Sequence, residues 1–312
     1  MQVFGRIHGW SMSLVATLIL AAPCWCAVSA ADASAAADAA WRADRLASLS
    51  GETGWLTPIA LYWLKEGRNT FGRDASNAFV LNHDALRAQA GEFVLRQGQV
   101  SVIARRGSGL TSGGAPVRRL QLVADTKAQP TELVAGTLHF TLIERAGHMG
   151  VRVRDSVSPE RSEFHGLDYF AFRPDWAVDA RFEPYVPSHE ITIINILGME
   201  VKMSSPGAAV FERDGQTWRL DTLLEEPGDD KLFVMFSDQT SGRETYGAGR
   251  YLYAPLPTGG RMHLNFNRAY NPPCAFTHFA TCPLPPPQNQ LALRVDAGEL
   301  KYQRVHDIKT AH

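Results

Sequence analysis

The amino-acid sequence predicts an all-β protein of two lobes, preceded by a short helix. Three observations carry that prediction. From Trp55 onward the apolar runs are short, alternate with polar residues and end in turn residues, as strands do. No long amphipathic helical pattern interrupts them. The series pauses over residues 155–187, rich in aromatics and broken by Pro174, Pro184 and Pro187, and then resumes. With 312 residues and 45% apolar composition, the chain can form one large domain or two smaller ones.

The N-terminus comes first. Arg6 and His8 precede the apolar run Leu14–Ala22, and small residues follow to Ala31. Val28-Ser29-Ala30 fits a small-x-small cleavage site, so residues 1–30 read as a signal peptide of an exported, periplasmic or secreted protein. The run is too short to span a bilayer. Pro23 and Trp25 precede Cys24 and Cys26, which argues against lipidation, and both cysteines leave with the leader. Residues 31–40 are alanine-rich and are expected to be a disordered tether. Trp41, Arg45 and Leu49, four apart, predict a short helix.

Residues 41–160 form the first lobe. Strands are expected at Leu56–Leu64, Ala78–Asn82, Glu92–Arg96, Gln99–Arg105, Val117–Val123, Thr137–Glu144 and Met149–Arg154. Gln97-Gly98 and Ala146-Gly147-His148 are hairpin turns. The spacing predicts an antiparallel β-sandwich. Residues 161–188 are read as a connector. The second lobe, 189–312, is expected to be a β-sandwich or small barrel. Its strands are Glu190–Leu197, Glu200–Ser204, Ala209–Arg213, Thr217–Leu224, Lys231–Ser237, Gly249–Tyr253, Met262–Phe266 and a last one at Gln290–Val295. Arg213-Asp214-Gly215 turns a hairpin.

Two resemblances add to this. Glu66–Leu81 (EGRNTFGRDASNAFVL), Gly113–Leu122 (GGAPVRRLQL) and Leu133–Phe140 (LVAGTLHF) resemble successive steps of a forkhead-associated (FHA) domain. The resemblance implies an FHA-like β-sandwich, with Arg73 where that family contacts phosphate. The family's Ser-x-x-His pair has no counterpart in Asp84–Gly91, so phosphothreonine binding is not implied. The second half resembles the DUF1684 family of uncharacterised bacterial proteins. The carrying residues are Leu232–Tyr253, Leu264–Leu291 and Asp296–Tyr302, with the opening GWLTPIALYWLKEGRNTFG also fitting. Where that family shows Asp-Phe-Asn, this chain has Asn265-Phe266-Asn267. The resemblance implies no particular reaction.

Composition excludes some partners. There are 31 basic and 32 acidic residues, a net charge of −1. That balance lacks the basic excess of a nucleic-acid or anionic-membrane binder. G-x-S-x-G, H-E-x-x-H, a Walker loop and, after the leader, C-x-x-C are all absent from the sequence. The histidines show no ligand pair, so no metal and no cofactor is expected.

Chemistry concentrates in two segments. Ser237–Arg250 follows an apolar strand and carries Asp238, Glu244, Tyr246 and Arg250. Leu264–Asn289 carries Asn267, Arg268, Tyr270, Asn271, Cys274, His278 and Cys282 among six prolines, which stiffen an irregular backbone. The expected site is a cleft of the second lobe where these segments face each other. Arg250, Asn267, Arg268, Tyr270 and Asn271 would bind a small polar or anionic ligand. Asp238 or Glu244 is the candidate base and Tyr246 the candidate proton donor, with catalysis left open. Cys274 and Cys282 are expected to form a disulfide after export. A Cys274/His278/Cys282 metal site lacks a fourth ligand, and a Cys–His nucleophile would be silenced by oxidation. The competing expectation is a non-catalytic envelope module whose proline-rich segment docks a protein partner.

Overall fold

The computed structural model describes residues 30–304. Helix α1 (Ala30–Ser50) leads into β1 (Pro58–Trp63), β2 (Gly67–Gly72), β3 (Phe79–Val80), β4 (Gly91–Arg96), β5 (Gln99–Ala104), β6 (Thr111–Ser112), β7 (Ala115–Pro116), β8 (Arg119–Leu122), β9 (Glu132–Ala135), β10 (Leu138–Arg145) and β11 (His148–Asp155). A one-turn helix α2 (Pro159–Ser162) precedes β12 (Ala177–Ile194), β13 (Glu200–Arg213), β14 (Gln216–Leu224), β15 (Lys231–Phe236), β16 (Arg250–Pro255) and β17 (Arg261–Asn265). The predicted all-β, two-lobed architecture is the observed one.

The first lobe is a sandwich of two sheets, ordered β1-β11-β10-β9-β6-β7 and β3-β2-β4-β5-β8. Alternate residues of both, among them Phe71, Phe93, Val102, Leu138, Val151 and Val153, fill the space between them. In the second lobe one sheet, β16-β15-β14-β13-β12-β17, curls until β16 and β17 approach, giving a nearly closed barrel around Phe211, Leu220, Phe236, Leu264 and Phe266. All three predicted hairpins form. Their central residues are left-handed: Gln97 and Gly98 (φ 50° and 75°), Ala146 and Gly147 (47° and 78°), Asp214 and Gly215 (54° and 73°). Two successive positive φ values match the strand twist of a tight hairpin.

Three expectations are corrected. Residues 31–40 are not a tether but the first half of α1. Alanine is the best helix former, and low complexity hid the few anchoring residues. Asp38 is buried and paired with Arg42 at 2.7 Å, while Arg268 Nη2 donates to the Ala37 carbonyl at 3.1 Å. Leu49 joins Leu56, Ala275 and Phe276 in a small core. The connector is shorter than 161–188, because β12 already starts at Ala177. Pro184 and Pro187 stay in the strand because its pairing with β13 slips between Pro184 and His189, leaving a bulge that needs no N–H there. The last strand, Gln290–Val295, does not form; one bridge, Ser237 to Gln290, is all that remains of it. The leader lies outside the described residues, apart from Ala30 at the start of α1. Among the described residues no helix is long and apolar enough to cross a membrane.

Leu49 makes α1 testable. Leu49→Ala empties a 1%-exposed site and should cost about 2–5 kcal/mol in urea unfolding; a tether-like α1 would leave stability unchanged.

Candidate functional site

The sequence-predicted residues do not converge on a cleft. Most of them hold the irregular chain that follows β17. Arg250, on β16, is fully buried. Its guanidinium donates to the carbonyls of Val295 (3.0 Å) and Ala297 and to Asp238 Oδ1 (3.3 Å). Asp238 accepts from Val295 N at 2.8 Å and from Thr240 N at 3.2 Å, closing its own turn. The pair therefore serves backbone groups of residues 295–297 rather than a ligand. Burial pulls the Arg250 guanidinium below its usual range, and the Asp238 charge opposes that pull.

Asn267 and Asn271 do similar work. Asn267 accepts from Arg173 N (2.9 Å) and donates to Arg173 O (2.8 Å). Asn271 donates through Nδ2 to Leu300 O (2.7 Å), and its own N–H reaches Glu299 Oε2 (2.8 Å). Arg268 docks α1, as above. Glu244 forms an exposed ion pair with Arg294 at 2.8 Å. Tyr246 is half-buried between two small cores, and burial pushes its phenol up to about 12. Burial therefore makes it a weaker acid than an ordinary tyrosine. Cys274 and Cys282 are free thiols, both buried, where a disulfide was expected. His278 sits with Arg304 at 3.3 Å.

Tyr270 is the exception. It lines a cavity of about 400 Å³ where the lobes meet, together with Arg45, Trp55, Arg145, Glu225, Tyr253 and Cys282. That volume lies within the usual range of small-molecule sites, roughly 300–1,000 Å³. Aromatic rings form much of its wall. Tyr251 meets Tyr270 edge to face at 5.8 Å, and Tyr253 lies nearly parallel to Tyr270 at 6.3 Å. The Arg45 guanidinium covers the Tyr270 ring at 4.6 Å.

The first lobe supplies positive charge. Strand β11 reads Val151-Arg152-Val153-Arg154. Alternation sends the valines into the sandwich core and both arginines to the opposite face, toward the second lobe. Arg152 and Arg154 lie 5.0 and 5.5 Å from the Trp55 ring centre. Arg145 is held by Asp125 at 2.9 and 2.7 Å and donates to Thr281 at 3.2 Å. Arg45 is held by Glu299 at 2.9 Å. Arg152 has no such carboxylate. Only 3% exposed, it donates from Nε to Phe279 O at 3.0 Å, and its Nη2 has no partner.

Burial, then the like charges of Arg154 and Arg145, lower the Arg152 guanidinium to about 10. Against an ordinary value of 12.5, that corresponds to roughly 3 kcal/mol opposing the charged form. Arg152 stays cationic at neutral pH, in a setting that favours a neighbouring anion. It lies over Trp55, a cavity wall, and two other wall residues, Arg145 and Cys282, act on it electrostatically.

Sequence reading missed this site because its residues are scattered over α1, the turn before β1, β10, β11, the turn after β14, β15, β16 and the chain after β17. One signal was available: two arginines two apart within a strand must share a face.

A family model for DUF1684, proteins of unknown function, matches residues 162–300, so the opening that resembled that family lies outside the match. No curated protein matches the chain. Among solved structures, an uncharacterised protein of Haloarcula marismortui, determined by solution NMR, is 32% identical; the match covers 46% of this chain and 81% of that one, with a TM-score of 0.40. A structure described as concerning phosphothreonine-dependent FHA domain interactions is 20% identical, covering 31% of this chain and 96% of that one, with a TM-score of 0.22. In this chain Arg73 forms an exposed pair with Asp84 at 3.1 Å.

The buried cations give a paired prediction for urea unfolding. Asp238→Ala strands Arg250 and should cost about 3–5 kcal/mol, whereas Arg152→Met removes an uncompensated charge and should stabilise by about 1–2 kcal/mol. Equal losses for both would contradict the distinction. What the chain shares with the DUF1684 family is therefore its residues 162–300, which include the whole barrel of the second lobe.

Proposed function

We propose that this is an exported protein that binds a small anionic organic molecule in the cavity between its lobes, rather than in a cleft of the second lobe. The observation that carries the reading is the buried Arg152, whose Nη2 lacks a partner among the described residues and whose guanidinium lies over Trp55, a wall of the aromatic cavity. Buried charges are normally paired, so an unmatched one behind a cavity wall favours an anionic ligand. The rings of Trp55, Tyr251, Tyr253 and Tyr270 offer flat apolar surface to the rest of such a ligand. Binding is preferred to hydrolysis because Asp238, Glu244 and Tyr246 are engaged elsewhere.

Export rests on the leader, and an oxidising compartment would favour a Cys274–Cys282 disulfide. N-terminal sequencing of protein from the cell envelope should find a start near Ala31.

The binding reading is tested by thermal shift with phenyl phosphate and benzoate, against neutral benzyl alcohol. Ligand that binds only the native state raises the melting point, by a margin that grows with concentration. Both anions should stabilise the wild type, more at low salt, and lose that effect in Trp55→Ala and Arg152→Met. Equal shifts in wild type and Arg152→Met, or no shift with either anion, would count against the reading.

A further inference from the structure

We propose that Cys274 and Cys282 form a reversible thiol–disulfide exchange couple, open to small organic disulfides through the interlobe cavity. The inference concerns sulfur chemistry and does not depend on anion binding. Three observations carry it. The two thiols already face each other: Cys274 N–H donates to Cys282 Sγ at 3.0 Å, and Cys282 N–H donates to Cys274 Sγ at 3.3 Å. Such reciprocal bonds close the nine-residue loop Cys274–Cys282 without a covalent link. Cys282 also lines the cavity, whereas Cys274 does not, so the two sulfurs differ in access. Finally, both residues are buried, so the cavity is the route by which a small disulfide reaches them in the folded protein.

Access to the cavity assigns the attacking role to Cys282, and the electrostatics set where the proton rests. A hydrogen bond from the Cys282 thiol draws the Cys274 thiol below its ordinary range, and the Arg152 charge adds to that. Burial pushes Cys282 up, so when the pair gives up one proton the remaining one rests on Cys282, shared with Cys274. Transfer of that proton to Cys274 frees a Cys282 thiolate at the cavity wall. It attacks one sulfur of a disulfide R–S–S–R, forming a Cys282–S–S–R bond and expelling RS⁻. The Cys274 proton passes to that leaving group. The Cys274 thiolate then attacks Cys282 Sγ, forming the internal disulfide and expelling the second RS⁻. The protein loses two electrons and the small disulfide gains them. Excess RSH reverses both steps.

The test uses the reduced native protein and 2-hydroxyethyl disulfide, a small uncharged probe. Samples are acid-quenched and read by intact and peptide mass. The internal disulfide should form without denaturant and reopen with excess 2-mercaptoethanol. Cys274→Ser should trap one probe adduct on Cys282, while Cys282→Ser should react at least about tenfold more slowly. Circular dichroism checks that each variant is folded; if either is not, the wild-type reaction decides alone. Thiols that react only after unfolding, or an adduct that forms first on Cys274, would overturn the proposal. Loss of anion binding would not affect this result, so the two readings fail separately.

Discussion

The second lobe depends on one constraint: after β17 the chain runs buried without a strand partner. Residues 266–300 cross the barrel as an irregular strap containing three short 3-10 turns. Buried N–H and C=O groups must find partners, and a strand ladder is not available to provide them. Isolated bridges, such as Tyr251 to Tyr270 and Asn195 to Pro283, provide some, and side chains provide others. Asp238 and Arg250 take the backbone of Val295 and Ala297. Asn289 accepts from Asp221 N at 2.8 Å and donates to Asp221 O and Met235 O at 2.9 and 2.8 Å. Asn271 and Glu299 tie the strap to its own end and, through Arg45, to α1.

That lacing has a consequence for the cavity. The strap brings Phe279, Thr281 and Cys282 against the first lobe, where Arg152 and Arg145 bond to the first two. Thr277 Oγ1 reaches Pro58 O at 3.2 Å in the same seam. The cavity wall is thus assembled from the strap, from β10 through Arg145, from β15 and β16, and from α1 through Arg45. Buried polar bonds that fix the strap also fix the spacing between the aromatic wall and the arginines. A strap held by this many buried polar bonds is stiff, which suits a site that is preformed rather than folded around its ligand.

The fold was largely legible in the sequence because alternation and turn residues are local signals. Gln97-Gly98 and Asp214-Gly215 were readable from two residues each. The long β12 was not, since its prolines sit at a bulge that only pairing with β13 reveals. The polar residues of the strap were legible as unusual but not in role. Asp238, Arg250, Asn267 and Asn271 look alike on paper whether they meet a ligand or a buried carbonyl; the difference lies in what the fold places opposite them. Of the five ligand-binding candidates, Tyr270 alone lies on the wall of this cavity. Arg152 and Trp55 were overlooked because each is ordinary alone, and their proximity comes from separate elements.

The most direct measurement is the position of a heavy-atom ligand. Crystals of residues 30–312 soaked with 4-bromophenyl phosphate, examined at the bromine absorption edge, would locate the ring by its anomalous signal. The account predicts bromine among Trp55, Tyr253 and Tyr270, with the phosphate toward Arg145 and Arg152. Bromine beside Asp238 and Asn271 in the second lobe, or no ordered bromine at concentrations that saturate the thermal shift, would contradict it.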